Sequence, residues 1–157
     1  MRWVTGDTHF FHKNIIRYTN RPFKNVNEMN YEMVRRWNSV VGEKDTVYHL
    51  GDFSFGNKKE TSTLMEKLNG RIILVKGNHD RKKSKKWLSD LNFEKIVESI
   101  IVVDNFLLSH YPLYINGIPC LNVGVDVWNY YPIPFPKSDR PLNLCCHVHN
   151  KWICMEG

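Results

Sequence analysis

Residues 71–80 read RIILVKGNHD, and an apolar, β-branched run passes there directly into Gly77, Asn78, His79 and Asp80. The apolar run is typical of a buried strand. An amide, an imidazole and a carboxylate directly after such a strand are costly to bury unless they are hydrogen-bonded or hold a metal ion. The segment therefore predicts a strand that carries functional groups at its end.

Two earlier strands end in the same way. Residues 2–6 predict an opening strand, which Asp7 and His9 follow two positions apart. Residues 45–50 predict a second strand, and Asp52 follows it after one glycine. Each pattern alone has an ordinary explanation, because Asp caps helices and Gly-Asp is a common turn. Both nevertheless place metal-binding side chains directly after a strand.

The segments between these strands have helical periodicity. Apolar residues recur at helical spacing over residues 25–41 and 57–69. The resulting order β-α-β-α-β favours a central, largely parallel sheet covered by helices. In such sheets functional groups lie beyond the carboxyl ends of the strands, where the polar residues named above all fall.

The second half of the chain is rich in strand patterns. After a predicted helix over residues 84–91, we expect meandering strands within four segments, residues 94–103, 106–109, 118–127 and 142–146. His110 ends the second of these segments, and His147 and His149 follow the last. The four prolines of residues 131–141 predict an irregular loop.

Together, the strand ends supply two carboxylates, an amide and several histidines. The candidate metal ligands are Asp7, His9, Asp52, Asn78, His110, His147 and His149. This set is large enough for two neighbouring ions that share one carboxylate. Oxygen and nitrogen ligands without thiolates favour two divalent ions such as Mn²⁺, with iron, Zn²⁺ or Ni²⁺ as alternatives, over Ca²⁺.

The order of these motifs resembles the calcineurin-like metallophosphoesterase family over nearly the whole chain. The resemblance implies a four-layer α/β/β/α sandwich, and we expect its C-terminal sheet to be short or completed elsewhere. It further implies two metal sites, the first held by Asp7, His9 and His149, the second by Asn78, His110 and His147, with Asp52 bridging both.

The resemblance also implies a mechanism. A metal-bound hydroxide attacks phosphorus while the two cations neutralise the phosphoryl oxygens. His79 is then the expected proton donor or transition-state stabiliser, and Asp80 its orienter. The segment from Asp7 to Ile16 resembles a bacterial and phage-type subgroup of small phosphoesterases. In that context His12 and Arg21 are candidates for contacting the substrate phosphate, with structural roles as the alternative.

The C-terminal motif departs from the family pattern. Where the family usually has glycine before its last His-x-His pair, this chain has Cys146, whose side chain is expected to crowd the turn. Few residues follow His149. An exposed edge near Trp152 and Ile153 is therefore a candidate for pairing with a second copy of the chain, which would give a homodimer.

Length and composition set the class of protein. The chain has 157 residues and a formal net charge of +6, which fits one domain over residues 1–157 and an anionic partner. No segment has the length and apolarity of a membrane span or leader, so the expected location is the cytoplasm. The four cysteines show no paired spacing and are expected to be reduced. A small, basic chain favours a phosphodiester over a phosphomonoester, and a phosphorylated small molecule, nucleotide or nucleic acid as substrate.

Two other functions remain open from the sequence. The basic run of residues 81–86, together with the tryptophans and tyrosines, suits a non-catalytic nucleic-acid-binding module, although it also suits a solvated helix face. A structural zinc site would use Cys145, Cys146, His147 and His149, but adjacent cysteines do not match the usual ligand spacing. Neither alternative explains the polar residues at the other strand ends.

Overall fold

The fold is that of a computed structural model, which describes residues 1–113, 118–123, 131–132, 141–147 and 154–155. Helices and strands alternate in the first half of the chain, as predicted. The elements in chain order are β1 (Arg2–Thr5), α1 (Ile15–Tyr18), α2 (Val26–Val40), β2 (Thr46–His49), α3 (Lys58–Met65), β3 (Arg71–Val75), a short 3₁₀ helix (Asp80–Lys82), α4 (Lys85–Ser89), β4 (Lys95–Val97), β5 (Ile100–Val103), β6 (Phe106–Ser109), β7 (Cys120–Asn122), β8 (Tyr131–Pro132), β9 (Leu142–Cys145) and β10 (Cys154–Met155).

The first sheet has five strands in the order β4-β3-β2-β1-β8. Strands β1 to β4 are parallel to one another, and β8 pairs with β1 in the antiparallel direction. Residues Arg2 to Thr5 pair in register with Thr46 to His49, so β1 and β2 end side by side. The predicted parallel sheet is confirmed, and its register brings the residues after β1, β2 and β3 to one edge.

Successive side chains of a strand point to opposite faces of the sheet, and helices cover one of these two faces. Trp3, Val47 and Leu74 lie on the helical side, where they share a buried cluster with Met33 and Trp37 of α2. Asn25, the first residue of the predicted helix, caps α2, because its side chain accepts hydrogen bonds from backbone N–H groups of the first turn. This packing fixes the sheet edge that carries the polar residues.

The opposite face of the first sheet packs on a second sheet with the strand order β10-β7-β9-β6-β5. Val4 and Val75 of the first sheet share a buried cluster with Leu108 and Leu144 of the second. The described layers are therefore helices, first sheet and second sheet, and a helical layer outside the second sheet is not among the described residues. Five strands of the second sheet are described, as many as in the first. Within the described ranges, no helix has the length and apolarity needed to cross a membrane.

The predicted meander of the second half is wrong in two respects. Strand β4 joins the first sheet in parallel with β3, and β9 is parallel to both β6 and β7. These pairings join residues far apart in sequence, which local patterns do not reveal. The expected loop over residues 131–141 also begins as a strand, β8, at a sheet edge where proline is tolerated.

The C-terminal edge of the second sheet is strand β10, which pairs with β7. Trp152 and Ile153, from which we inferred an edge for dimerisation, lie outside the described residues. The homodimer therefore stays a prediction.

Candidate metal centre

The turn after β1 has an uncommon backbone conformation. Asp7 and His9 have left-handed φ angles of 52° and 49°. Such angles cost roughly 1–2 kcal/mol for a residue with a side chain, so neighbouring structure must hold them. The N–H groups of Asp7 and His9 donate to the carbonyl oxygens of Gly51 and Asp52, both at 2.9 Å. The turn is thereby fastened to the residues that follow β2.

Asp7, His9 and Asp52 form a buried cluster. The Nε2 atom of His9 lies 3.8 Å from an Asp7 oxygen and 3.7 Å from an Asp52 oxygen. Burial raises the pKa of Asp7 to about 8, with a further contribution from the charge of Asp52, and burial raises the pKa of Asp52 to about 7. A cation between two such carboxylates would stabilise their charged forms. One atom from each side chain can reach a common ion, so the cluster fits a metal site.

A second group of ligand atoms surrounds His110. Its Nε2 atom lies 3.0 Å from Oδ1 of Asn78 and 3.1 Å from Nδ1 of His147. Its Nδ1 atom lies 2.7 Å from the carbonyl oxygen of Leu50, which can only accept a hydrogen bond. In neutral His110 the proton therefore sits on Nδ1, and Nε2 presents a lone pair toward the amide oxygen of Asn78. Lone pairs that face each other in this way favour a cation between them.

Asp52 lies between the two groups. Its Oδ2 atom is 3.7 Å from Nε2 of His9 and 3.8 Å from Nε2 of both His79 and His110. Its own φ is also left-handed, at 54°. A Cβ atom on Gly77 would lie 2.2 Å from Oδ1 of Asp52, so only glycine at residue 77 leaves room for this carboxylate. The central position is that expected of a shared ligand.

His147 joins the second sheet to this centre from the end of β9. Its N–H group donates to Oδ2 of Asp7 at 2.7 Å, and its φ is 72°. This bond places residues of both sheets around the same carboxylate. His149, predicted to complete the first metal site, lies outside the described residues, and its role stays a prediction.

Cys146, expected to crowd the turn, is fully buried. Its thiol donates to the carbonyl oxygen of Leu50 at 2.7 Å, and its sulfur lies 3.2 Å from Nδ1 of His110. Asp7, His110 and Cys146 could also reach one ion. Burial, however, raises the pKa of this thiol well above its ordinary value, so the neutral hydrogen-bond donor is the favoured form.

The carboxylate of Asp80 contacts the backbone of the centre. It accepts from the N–H groups of Asp52, Gly77 and Phe53 at 2.6, 2.9 and 3.2 Å. These bonds pin the ends of β2 and β3 to each other. Asp80 therefore helps to hold the backbone of the centre, and its role as the orienter of the His79 ring stays a prediction.

The side chain of Arg21 lies against the turn after β1. It is 5% exposed, and its guanidinium group donates to the carbonyl oxygens of Asp7 (2.7 Å) and Thr8 (2.8 Å). These contacts support the structural role that we gave as the alternative, and binding of substrate phosphate by Arg21 stays a prediction. The ring of His12 stacks on Phe55 at 4.0 Å, and burial lowers the pKa of His12, which does not favour an imidazolium for phosphate.

Sequence reasoning missed two residues at the centre. His49 is fully buried behind the β1 turn, where its Nε2 atom lies 3.0 Å from the hydroxyl of Thr8, which donates to the carbonyl oxygen of Phe53. A histidine inside an otherwise apolar strand was its only signal. Phe55 contacts several histidine rings, and nothing in the sequence distinguishes it from Phe53, which packs in the core.

The chain combines a two-sheet α/β fold with buried carboxylates and histidines at the strand ends, a donor set that fits divalent metal ions. The model of the calcineurin-like phosphoesterase family matches residues 2–154. The chain therefore belongs to the calcineurin-like phosphoesterase family, a family of metal-dependent phosphoester hydrolases.

Several relatives are similar to this chain. An uncharacterized protein of Methanocaldococcus jannaschii, MJ1445, is 37% identical over 83% of this chain and 85% of its own length. The Gene 66 protein of Mycobacterium phage L5 is 37% identical over 50% of this chain and 39% of its own length. Phosphodiesterase MJ0936 of Methanocaldococcus jannaschii is 41% identical over 42% of each chain. The chain thus spans less than half of the latter two proteins.

Among solved structures, the protein of unknown function AQ665 from Aquifex aeolicus superposes with a TM-score of 0.59 at 34% sequence identity. The match covers 71% of this chain and 61% of that protein. This similarity agrees with the two-sheet fold.

Proposed function

We propose that the protein is a phosphodiesterase with two divalent ions bridged by Asp52. The carrying observation is the position of its carboxylate, which lies 3.7 Å from His9 on one side and 3.8 Å from His110 on the other. The first ion would be held by Asp7, His9, Asp52 and His149, and the second by Asp52, Asn78, His110 and His147. The oxygen and nitrogen donors support Mn²⁺, with iron, Zn²⁺ or Ni²⁺ as alternatives.

When bound, such ions supply water activation and charge neutralisation to phosphoester hydrolysis. The chain's own residues position these parts. Arg21 and Asp80 hold the turns that carry the ligands. His79 lies at the surface of the centre, 3.8 Å from Asp52, where its ring can give a proton to the departing oxygen of the substrate.

A nucleotide-type diester is the proposed substrate class. The net charge of +6 attracts anions to the surface. Locally, burial lowers the pKa of His79 and raises that of Asp52, and the charge of Lys82 adds to the first effect and opposes the second, which places a cation beside the centre. The name of the similar Methanocaldococcus protein, a phosphodiesterase, supports a diester. The family match favours a hydrolase over the binding-module and structural-zinc alternatives.

The test compares turnover of bis-p-nitrophenyl phosphate and p-nitrophenyl phosphate after the metal-free protein is loaded with Mn²⁺. We expect faster diester turnover, two ions per chain, and loss of both turnover and full loading in Asp52→Asn. The matched control is Asp104→Asn, which removes an exposed carboxylate paired with Arg2, away from the centre. Turnover that needs no metal, or that survives Asp52→Asn, would exclude the proposal.

A further inference from the structure

Phe55 lies among three histidine rings of the centre. Its ring centroid is 4.0 Å from that of His12, 4.5 Å from that of His79 and 5.2 Å from that of His9. The ring planes of Phe55 and His79 are tilted by 50°. A single aromatic side chain thereby contacts a candidate metal ligand, the candidate proton donor and a third imidazole.

The backbone around Phe55 is anchored on both sides. Its N–H group donates to the carbonyl oxygen of Phe10 at 2.8 Å. The preceding hydroxyl, on Ser54, lies 2.9 Å from that of Thr61 and accepts from the N–H group of Gly56 at 3.1 Å. Because the backbone is held at these points, the Phe55 ring has a defined position against the neighbouring histidine rings.

The orientation of the His79 ring depends on packing of this kind. Its backbone N–H group donates to Oδ1 of Asp52 at 2.9 Å, but its Nε2 atom is 3.8 Å from Oδ2, too far for a hydrogen bond. The carboxylate of Asp80 is taken up by backbone N–H groups. Within the described ranges, no side chain hydrogen-bonds the His79 ring. Histidine χ2 has a broad preference, so ring packing must set its orientation.

We propose that Phe55 is a positioning residue that holds the His79 ring in the orientation for donating a proton to the leaving oxygen of the substrate. The inference rests on the proposed phosphodiesterase function. Phe55 itself contacts no reacting atom in this account. Its face restricts rotation of His79, and proton transfer requires a ring nitrogen within hydrogen-bond reach of the leaving oxygen.

The test uses phosphodiesters whose leaving groups differ in basicity. A nitrophenolate leaves without a proton, whereas phenolate and alkoxides need one. In Phe55→Leu we expect kcat to fall about tenfold for the basic leaving groups and less than about twofold for nitrophenolate, with little change in KM. Phe55→Tyr, which keeps the ring, should restore the wild-type pattern. The double variant with His79→Ala should be no slower than His79→Ala alone.

The matched control is Tyr111→Leu. The ring of Tyr111 contacts His110 and His147 at 4.9 and 4.6 Å, on the second metal site, so its loss should not alter the dependence on leaving-group basicity. An equal loss for all leaving groups in Phe55→Leu, or a loss that multiplies with His79→Ala, would overturn the role of Phe55. Failure of the wild-type protein to hydrolyse any diester would instead overturn the proposed function.

The orientation of the His79 ring can also be tested without measuring turnover. In the metal-free protein, the ring-current shift of the His79 imidazole proton should change in Phe55→Leu and persist in Phe55→Tyr, with the signal assigned by its loss in His79→Ala. An unchanged His79 signal in Phe55→Leu would show that the ring is held by something else, which contradicts the proposal.

Discussion

The sulfur of Cys146 fills the space that a side chain on residue 6 would need. A Cβ atom built on Gly6 would lie 2.7 Å from Sγ of Cys146 and 3.2 Å from Cβ of Leu50. Glycine at residue 6 therefore leaves room for the sulfur of Cys146. The two residues form one packing unit between β1 and β9.

This packing predicts that Gly6→Ala destabilises the protein by about 1–3 kcal/mol because the added methyl group overlaps a buried sulfur. The same change made together with Cys146→Gly should cost much less, since the sulfur is gone. Urea unfolding of the single and double variants measures the coupling. Equal costs of Gly6→Ala in both backgrounds would contradict the packing relationship.

Arg21 should matter for stability rather than for substrate affinity. Arg21→Ala removes two buried hydrogen bonds from a charged donor to the turn that carries Asp7, so we expect a loss of roughly 3 kcal/mol and weaker Mn²⁺ binding. Arg21→Lys should recover only part of this, because an ammonium group cannot reproduce the fork. Unfolding and metal titration provide the measurements. A raised KM with unchanged stability would restore the phosphate-binding role.

The two raised carboxyl pKa values predict a pH dependence in the metal-free protein. Asp7 (about 8) and Asp52 (about 7) hold protons in the folded state that their unfolded forms, near 3.8, have lost. Folded-state stability therefore falls as pH rises through these values, by up to ~1.4 kcal/mol per pH unit for each group. Buried His49, with a pKa lowered to about 3, acts in the opposite direction below pH 6.5.

The measurable window is thus the upper part of this range, from about pH 7 to 8, where His49 is neutral in the folded state and mostly neutral in the unfolded state. Urea unfolding with chelator should show stability falling across this window, less steeply in Asp7→Asn. Saturating Mn²⁺ should stabilise the protein increasingly with pH, because the ion binds deprotonated ligands. Stability that is constant or rising with pH in the metal-free protein would argue against the buried carboxyl pair.

Asp80→Asn should separate backbone support from proton transfer. An amide has one oxygen instead of two, so at least one of the bonds to Asp52, Gly77 and Phe53 is lost, at a cost of about 1–3 kcal/mol. Metal affinity should weaken with it. The dependence of kcat on leaving-group basicity should stay that of the wild type. A dependence that matches His79→Ala would instead assign Asp80 to orienting His79.

The features predicted from the sequence are those with a local chemical signal. Residues 71–75 read as a strand because β-branched residues are continuous there, and Asp7, Asp52 and Asn78 were noticeable because polar groups directly follow such runs. Parallel strands with matched ends then bring these residues together. This is why the family resemblance and the α/β class are confirmed.

Other features depend on partners that a sequence pattern does not reveal. Asp80 and Arg21 bind backbone groups, and any residue type could supply those N–H and carbonyl groups. The parallel pairing of β9 with β6 and β7 joins distant segments. The contacts of Phe55 depend on how three loops meet. In each case the sequence showed that the residue is charged or apolar, but it did not show in which direction the side chain points.

The left-handed backbone shared by Asp7, His9, Asp52 and His147 has a consequence for how ions enter and leave. The hydrogen bonds that hold the turn after β1 join backbone groups of the chain itself and involve no cation. Exchange of one ion for another should therefore change only the bonds between metal and ligands. We expect the chain to stay folded when the metal is repeatedly removed and restored. Which metal occupies the site is then determined by the ions available in solution and by the chemistry of the ligands, without a change in the loop conformations.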